Sequence, residues 1–117
     1  MEYNTCHSWE EFAQAAPGSV GGWMTMVERE YLFQLAKQMQ LGQRFLEIGV
    51  FGGTTLSMFA MLGPPGLEVI GMDSWENTTA NADPDTGEFV DLRTFCVRNL
   101  QKNGVADRVT LVDGSSH

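Results

Sequence analysis

Apolar and polar residues fall into blocks along the chain, each about the length of one secondary-structure element. Ser8-Trp9-Glu10-Glu11 places a serine three positions before a glutamate, which predicts a short helix to Ala16 capped by Ser8, with Glu11 reaching back. Pro17-Gly18 stops that helix, and Ser19-Val20-Gly21-Gly22 reads as a flexible connection. Thr25-x-x-Glu28 repeats the capping arrangement and opens a longer helix to about Gln40, closed by Gly42. Val27, Tyr31, Leu35 and Met39, joined by Leu32 and Ala36, share one helical stripe and are expected to face the core. Trp9, Phe12 and Trp23 are expected to pack against the main body, with the mouth of a binding site as the alternative.

The pattern then changes period. An apolar run, Phe45-Leu46-Glu47-Ile48, is broken only by Glu47 and passes into Gly49-Val50-Phe51-Gly52-Gly53-Thr54-Thr55, after which a helical pattern begins at Leu56. This predicts a strand buried on both faces, a glycine turn and a short buried helix carrying Leu56, Phe59, Ala60 and Met61. Gly63-Pro64-Pro65-Gly66 ends the helix, and Leu67 to Asp73 is a second strand, parallel to the first because a crossover helix separates them. Ser74 to Glu88 is polar and long for a connection, so it is expected to be a lid or a mobile excursion. Its acidic residues Asp83, Asp85 and Glu88 lack the spacing of a calcium-binding loop and read as a solvated acidic face. Another helix is expected from Phe89 or Val90, with Leu92, Phe95, Cys96, Asn99 and Leu100 inside. Asn103-Gly104 closes it with Val105 as the contact beyond the cap, and Arg108 to Val112 forms a third strand. The fold class is therefore α/β: a Rossmann-like parallel sheet with flanking helices, divided into an N-terminal helix and linker (1–23) and a ligand-binding part (24–117).

Composition narrows the options. The chain has 117 residues, of which 43% are hydrophobic, enough for one small domain with a core. The net charge of −8 repels polyanions, so nucleic-acid partners are not expected. No apolar run approaches the roughly 20 residues that span a bilayer. The first residues, Met1-Glu2-Tyr3-Asn4-Thr5, lack the features of a secretory signal, so a cytoplasmic protein without membrane association is expected. Cys6 and Cys96 stand 90 positions apart in no metal or redox spacing and are expected to be reduced thiols, Cys96 on a buried helix face.

The candidate chemistry sits at the glycine turn. Gly49-x-x-Gly52-Gly53 does not read G-x-G-x-x-G, which weighs against a nicotinamide-dependent oxidoreductase. It reads acidic-x-Gly-x-x-x-Gly-x-Thr, with Glu47, Gly49, Gly53 and Thr55 in those places. Gly49, Gly52 and Gly53 are expected to leave space that a Cβ would fill, letting backbone approach a ligand. A charge at Glu47 in an apolar strand needs a partner. Asp73, 24 positions beyond Gly49, ends the second strand, where an acidic residue in nucleotide-binding α/β folds accepts hydrogen bonds from ribose hydroxyls.

At these residues the sequence resembles the class I S-adenosylmethionine (SAM)-dependent methyltransferases. EIGVFGGTTL (Glu47 to Leu56) is most similar to the caffeoyl-CoA and catechol O-methyltransferase branch, and Asp73-Ser74-Trp75 also resembles the macrocin O-methyltransferase group. NGVADRVTLVDGSS (Asn103 to Ser116) is similar to the segment of that branch whose turn flanks the adenine, although a terminal Gly-Ser-Ser-His also matches an affinity-tag linker. The resemblance implies that Glu47 receives the cofactor's amino end, Asp73 and Ser74 the ribose, and Gly114, Ser115 and Ser116 the adenine, with His117 at its edge and Met72 and Trp75 enclosing it. It implies a cofactor contact for Thr25 besides its role as a cap.

In the family, a divalent metal after the fourth strand binds the acceptor oxygens. This chain holds three of the seven strands, so no metal ligand and no catalytic residue is assigned, and a metal is expected only in a longer form. The expected function is the SAM-binding portion of a methyltransferase, acting by O-methyl transfer to a small-molecule acceptor. The alternative is a non-catalytic SAM-binding or assembly module. The sheet is expected to be completed by a missing C-terminal half or by another copy of the chain.

Overall fold

In a computed structural model, which describes residues 2–76 and 81–114, three parallel strands form one sheet in the order β1 (Arg44–Ile48), β2 (Glu68–Asp73), β5 (Val109–Asp113). The register pairs Phe45 with Val69 and Val69 with Val109, and one rung further Glu47 with Gly71 and Gly71 with Leu111. Because side chains alternate along a strand, these rungs share a face. On that face Phe45 stacks on Phe59 at 3.7 Å, and Val69 and Gly71 are buried. Helices α3 (Thr54–Leu62) and α4 (Leu92–Lys102) lie on this side, since two right-handed crossovers running the same way put their helices on the same face, and α2 (Met26–Gln38) packs against α3.

The other face is open. Leu46 and Ile48 are 52% and 57% exposed, so β1 is not buried on both faces as its apolar run suggests. It is an edge strand, with β2 its only neighbour among the described residues.

Helix α3 is apolar all round, and every residue from Thr55 to Leu62 is buried. It starts at Thr54, two positions before the apolar pattern, because Gly53 adopts a left-handed conformation (φ 72°) at its N-cap. The capping box of α2 forms as expected. In α1 (Trp9–Ala15), Ser8 caps, but the Glu11 carboxylate accepts from the His7 N–H instead of the Ser8 N–H.

The inner stripe of α2 differs from the expected one. Phe33 and Ala36 are buried, while Val27 and Tyr31 are 80% and 69% exposed. Two stripes of similar apolar weight compete on this helix. The winner is decided by neighbours: Phe12 packs at 5.9 Å from Phe33, and the Arg29 guanidinium lies over the Trp9 ring.

The long polar stretch is ordered where it is described. Asn81–Ala82 (β3) pairs antiparallel with Phe89–Val90 (β4), so Phe89 and Val90 belong to a hairpin and not to the next helix. Helix α4 begins at Leu92, with the Asp91 side chain capping the Thr94 N–H. It buries Leu92, Cys96 and Leu100, whereas Phe95 and Asn99 lie half-buried at its side. At its end Val105 N–H bonds the Leu100 carbonyl and Gly104 N–H the Gln101 carbonyl, with Val105 buried as expected.

Candidate functional site

The carboxyl ends of the three strands and the turn after β1 form one edge of the sheet, where open α/β sheets bind ligands. A cavity of about 1060 Å³ opens at the β1 end of this edge. Its walls are the glycine turn, the connection 17–24, the hairpin and the adjoining side of α4. Among the described residues no helix is long and apolar enough to cross a membrane.

Glu47 is the chemical centre of this cavity. It projects from the helix-covered face of β1 beside Gly71, which brings no side chain, and its Oε1 is buried without a hydrogen-bond partner. Burial pushes its carboxyl up to about 7, the neighbouring Thr55 hydroxyl opposes the rise, and the Asp73 charge adds to it. Thr55 and Met24 line the same cavity.

The three glycines of the turn do different work. Gly49 is left-handed (φ 83°) and a Cβ built on it would meet nothing within 4 Å, so it leaves open space beside Glu47. Gly52 and Gly53 do not: a Cβ would meet the Phe95 ring at 3.1 Å in the first case and Cys96 Sγ at 2.8 Å in the second. These two glycines let α4 pack against the turn, so only Gly49 provides the ligand-side room expected of all three.

Asp73 braces the site. Its Oδ2 accepts from the Val50 and Phe51 N–H groups at 2.8 and 3.1 Å, and its Oδ1 from the Trp75 N–H at 2.9 Å. A carboxylate offers roughly four lone-pair positions, so about one remains for a ligand. Of the candidate residues, Glu47, Gly49 and Thr55 line the cavity, while Thr25, Gly53, Asp73, Ser74 and Gly114 do not. The Thr25 hydroxyl is taken up by the capping box, donating to the Glu28 carboxylate at 2.8 Å and accepting from the Glu28 N–H. Gly114 N–H bonds the Asp73 carbonyl, tying the end of β5 to β2. Ser115, Ser116 and His117 lie outside the described residues.

Trp23 is 89% exposed and lines the cavity, edge-on to Phe51 at 6.3 Å, so of its two expected places it takes the mouth and not the packed body. Two further features of the site are not displayed by the sequence. Phe51 adopts positive φ (54°), a cost that nothing in its local sequence announces. Asp83, expected in a solvated acidic loop, is buried and bonded to Arg98 of α4. The two cysteines are free, Cys96 is buried on its helix as expected and Cys6 is buried as well, and burial pushes Cys96 up to about 12. Among the described residues no group of three or more histidine, cysteine or acidic side chains is placed to hold a metal ion.

No protein-family model and no curated protein sequence matches the chain. Solved structures do. The O-methyltransferase TomG of Streptomyces achromogenes, solved with SAM, aligns over 75% of this chain and 33% of its own at 25% identity and a TM-score of 0.54. Cofactor-bound Rv0187 from MTB aligns over 86% of this chain and 38% of its own at 27% identity and a TM-score of 0.54. The fold is that of the class I SAM-dependent methyltransferases. The O-methyltransferase from Bacillus cereus, solved with SAH, shares this fold at 19% identity and a TM-score of 0.51, over 76% of this chain and 34% of its own. The chain thus spans about a third of the length of these proteins.

The residues present suit SAM in two respects. The orphaned Glu47 oxygen matches a cationic amino group, and the open side of Gly49 gives backbone-close room for the methionine end.

Proposed function

We propose that this chain is the methyl-donor half of a SAM-dependent O-methyltransferase acting on a small-molecule acceptor. The observation that carries the reading is the buried, unpartnered Glu47 Oε1 facing the cavity beside the open Gly49. A solitary buried carboxylate oxygen is costly unless a ligand completes it. SAM brings an activated methyl group on a sulfonium centre. The chain's own residues do the holding: Glu47 accepts from the amino end, Gly49 gives it room, and the Thr54–Thr55 start of α3 presents unpaired N–H groups to the carboxylate end. Asp73 and Ser74 at the end of β2 receive the ribose, and Gly114 at the end of β5 borders the adenine. The chain's contribution to catalysis is alignment of the donor, with deprotonation of the acceptor assigned to residues beyond it.

Isothermal calorimetry with SAM and with NAD tests this. Saturable heat with SAM and none with NAD is expected; binding of NAD alone would sink the methyltransferase reading.

A second reading is favoured by one observation. The open sheet face, with Leu46 and Ile48 exposed on the edge strand, suits a module that assembles with a second copy or with a further polypeptide completing the sheet. Size-exclusion chromatography with light scattering addresses it. A monomer that binds no apolar dye would rule out assembly through this face.

A further inference from the structure

Three turns meet at one residue in this fold. Asp73 sits at the end of β2, and the two oxygens of its carboxylate point in different directions along the sheet edge. Oδ2 takes the N–H groups of Val50 and Phe51, in the turn after β1. Oδ1 takes the N–H of Trp75, in the turn after β2. Its main-chain carbonyl takes the N–H of Gly114, in the turn after β5.

Two of the residues so held are in conformations they do not choose by themselves. Phe51 has φ 54° and Trp75 has φ 59°, and these are the two non-glycine residues with positive φ among those described. A bulky aromatic residue in the left-handed region is strained and persists only when its surroundings over-determine it. Here the over-determination has an identifiable source. Hydrogen bonds from N–H to a carboxylate are about twice as strong as neutral ones, and one carboxylate supplies them to both strained residues. The neighbouring glycines cannot explain the strain, because each is already relaxed by its own lack of a Cβ.

The consequence reaches the cavity. Phe51 lines it and meets Trp23 edge-on at the mouth. The direction of the Phe51 side chain follows from its backbone, and its backbone follows from Asp73.

We propose that Asp73 is a positioning residue that holds Phe51 and Trp75 in left-handed conformation and, through Phe51, shapes the ligand cavity, whether or not it also touches a ligand. This role is independent of what the cavity binds. It differs from a ribose contact in a way that experiment separates, because it exists in the free protein.

The test is amide hydrogen exchange by NMR on the full chain without ligand, comparing wild type with Asp73→Asn. Asparagine presents one oxygen and one NH₂ group, so it satisfies either the Val50–Phe51 pair or Trp75 and not both. Exchange at one of these two places is expected to accelerate tenfold or more, while the Ile70 and Gly71 amides inside the sheet keep their protection. The melting temperature is expected to fall by about 5 °C.

A second variant isolates the strain. Phe51→Gly removes the conformational cost at that position, so no strain is left there for Asp73→Asn to relieve, and the melting loss caused by Asp73→Asn is expected to be at least as large in the Phe51→Gly background as in wild type when the turn is the side released. When Trp75 is the side released, the same holds in the Trp75→Gly background. Unchanged exchange at both turns, a uniform acceleration over the whole sheet, or a melting loss cut by half or more in both glycine backgrounds would each overturn the assignment. A failure of SAM to bind would leave these readouts untouched, so the two readings fail separately.

Discussion

The Arg98 guanidinium of α4 meets the buried Asp83 carboxylate of the hairpin at 2.9 Å, and this ion pair fixes one wall of the cavity to the helix face. Asp83 also accepts from the N–H groups of Asp85 and Thr86 through Oδ1, so its side chain shapes the hairpin turn as well as docking it. Two further pairs, Arg98–Glu88 at 3.5 Å and Lys102–Asp85 at 2.8 Å, are more exposed. Exposed pairs are screened by salt and contribute little.

Arg98→Ala is therefore expected to free the hairpin, whereas Lys102→Ala leaves it docked. Faster exchange of the Gly87 amide, which bonds the Asp83 carbonyl, reports the difference. The backbone N–H of Asp85 and then the Arg98 hydrogen bond hold the Asp83 carboxyl below its ordinary 3.8. A lowered carboxyl stabilises the fold above its ordinary value and loses that contribution only as pH falls through the lowered one. The hairpin is thus expected to stay docked at pH 5 and to loosen below pH 4. Loosening already at pH 6 would contradict this.

Glu47 gives the opposite sign. Its carboxyl titrates near 7 in the folded protein against an ordinary 4.5, because burial disfavours the charge. The folded state binds more protons between those values, so stability is full below about 4.5 and declines as pH rises through 7. Glu47→Gln is expected to flatten this decline and to raise stability at pH 8 by up to about 3 kcal/mol. The same variant is expected to weaken SAM, since the ionised carboxylate is what receives a cationic amine. Wild-type affinity then rises between pH 5.5 and 7.5, and the variant shows no such rise. Calorimetry across that range checks both, and an equal pH dependence in the two proteins would exclude Glu47 as the receiving group.

Thr25 separates capping from ligand contact. Its hydroxyl satisfies the start of α2 and does not line the cavity. Thr25→Ala is expected to cost about 1 kcal/mol of stability. SAM affinity is expected to stay within about twofold of wild type. A tenfold loss of affinity would restore the cofactor contact that the family resemblance implies.

Much of this architecture was legible in the residues. The strand–turn–helix at Phe45 to Leu62, the parallel second strand, the Thr25–Glu28 cap and the Gly104–Val105 stop each rest on local chemistry that a sequence displays. What escaped depends on neighbours distant in sequence. Which stripe of α2 turns inward was set by Phe12 and Trp9, not by the helix itself. The exposure of Leu46 and Ile48 depends on what covers the sheet, and an apolar strand reads the same covered or bare. Asp83 looked like one more acid in a polar loop because Arg98 lies 15 positions away on another element. At the site, Glu47 and Gly49 were readable from the motif, whereas the division of labour among the glycines needed the position of α4.

That division yields the sharpest test of the turn. Gly49→Ala and Gly53→Ala impose a similar backbone strain, since both residues have positive φ, 83° and 72°. They differ in what a methyl group meets. At Gly49 it enters open cavity beside Glu47; at Gly53 it runs into Cys96 Sγ at 2.8 Å and approaches Leu100 at 3.6 Å. Both variants are expected to lose about 1 kcal/mol to the left-handed conformation. Gly53→Ala is expected to lose a further 1–3 kcal/mol to overpacking against α4. Cys96→Ala should relieve part of that extra loss, because it removes the clashing sulfur, and should do nothing for Gly49→Ala. The ligand effect runs the other way. Gly49→Ala, the milder change for folding, is expected to weaken SAM tenfold or more, while Gly53→Ala that remains folded binds close to normally. Melting curves and calorimetry on the wild type, the three single variants and the two double variants decide it, and equal ligand losses at the two glycines would show that the motif acts as one unit and not as two surfaces.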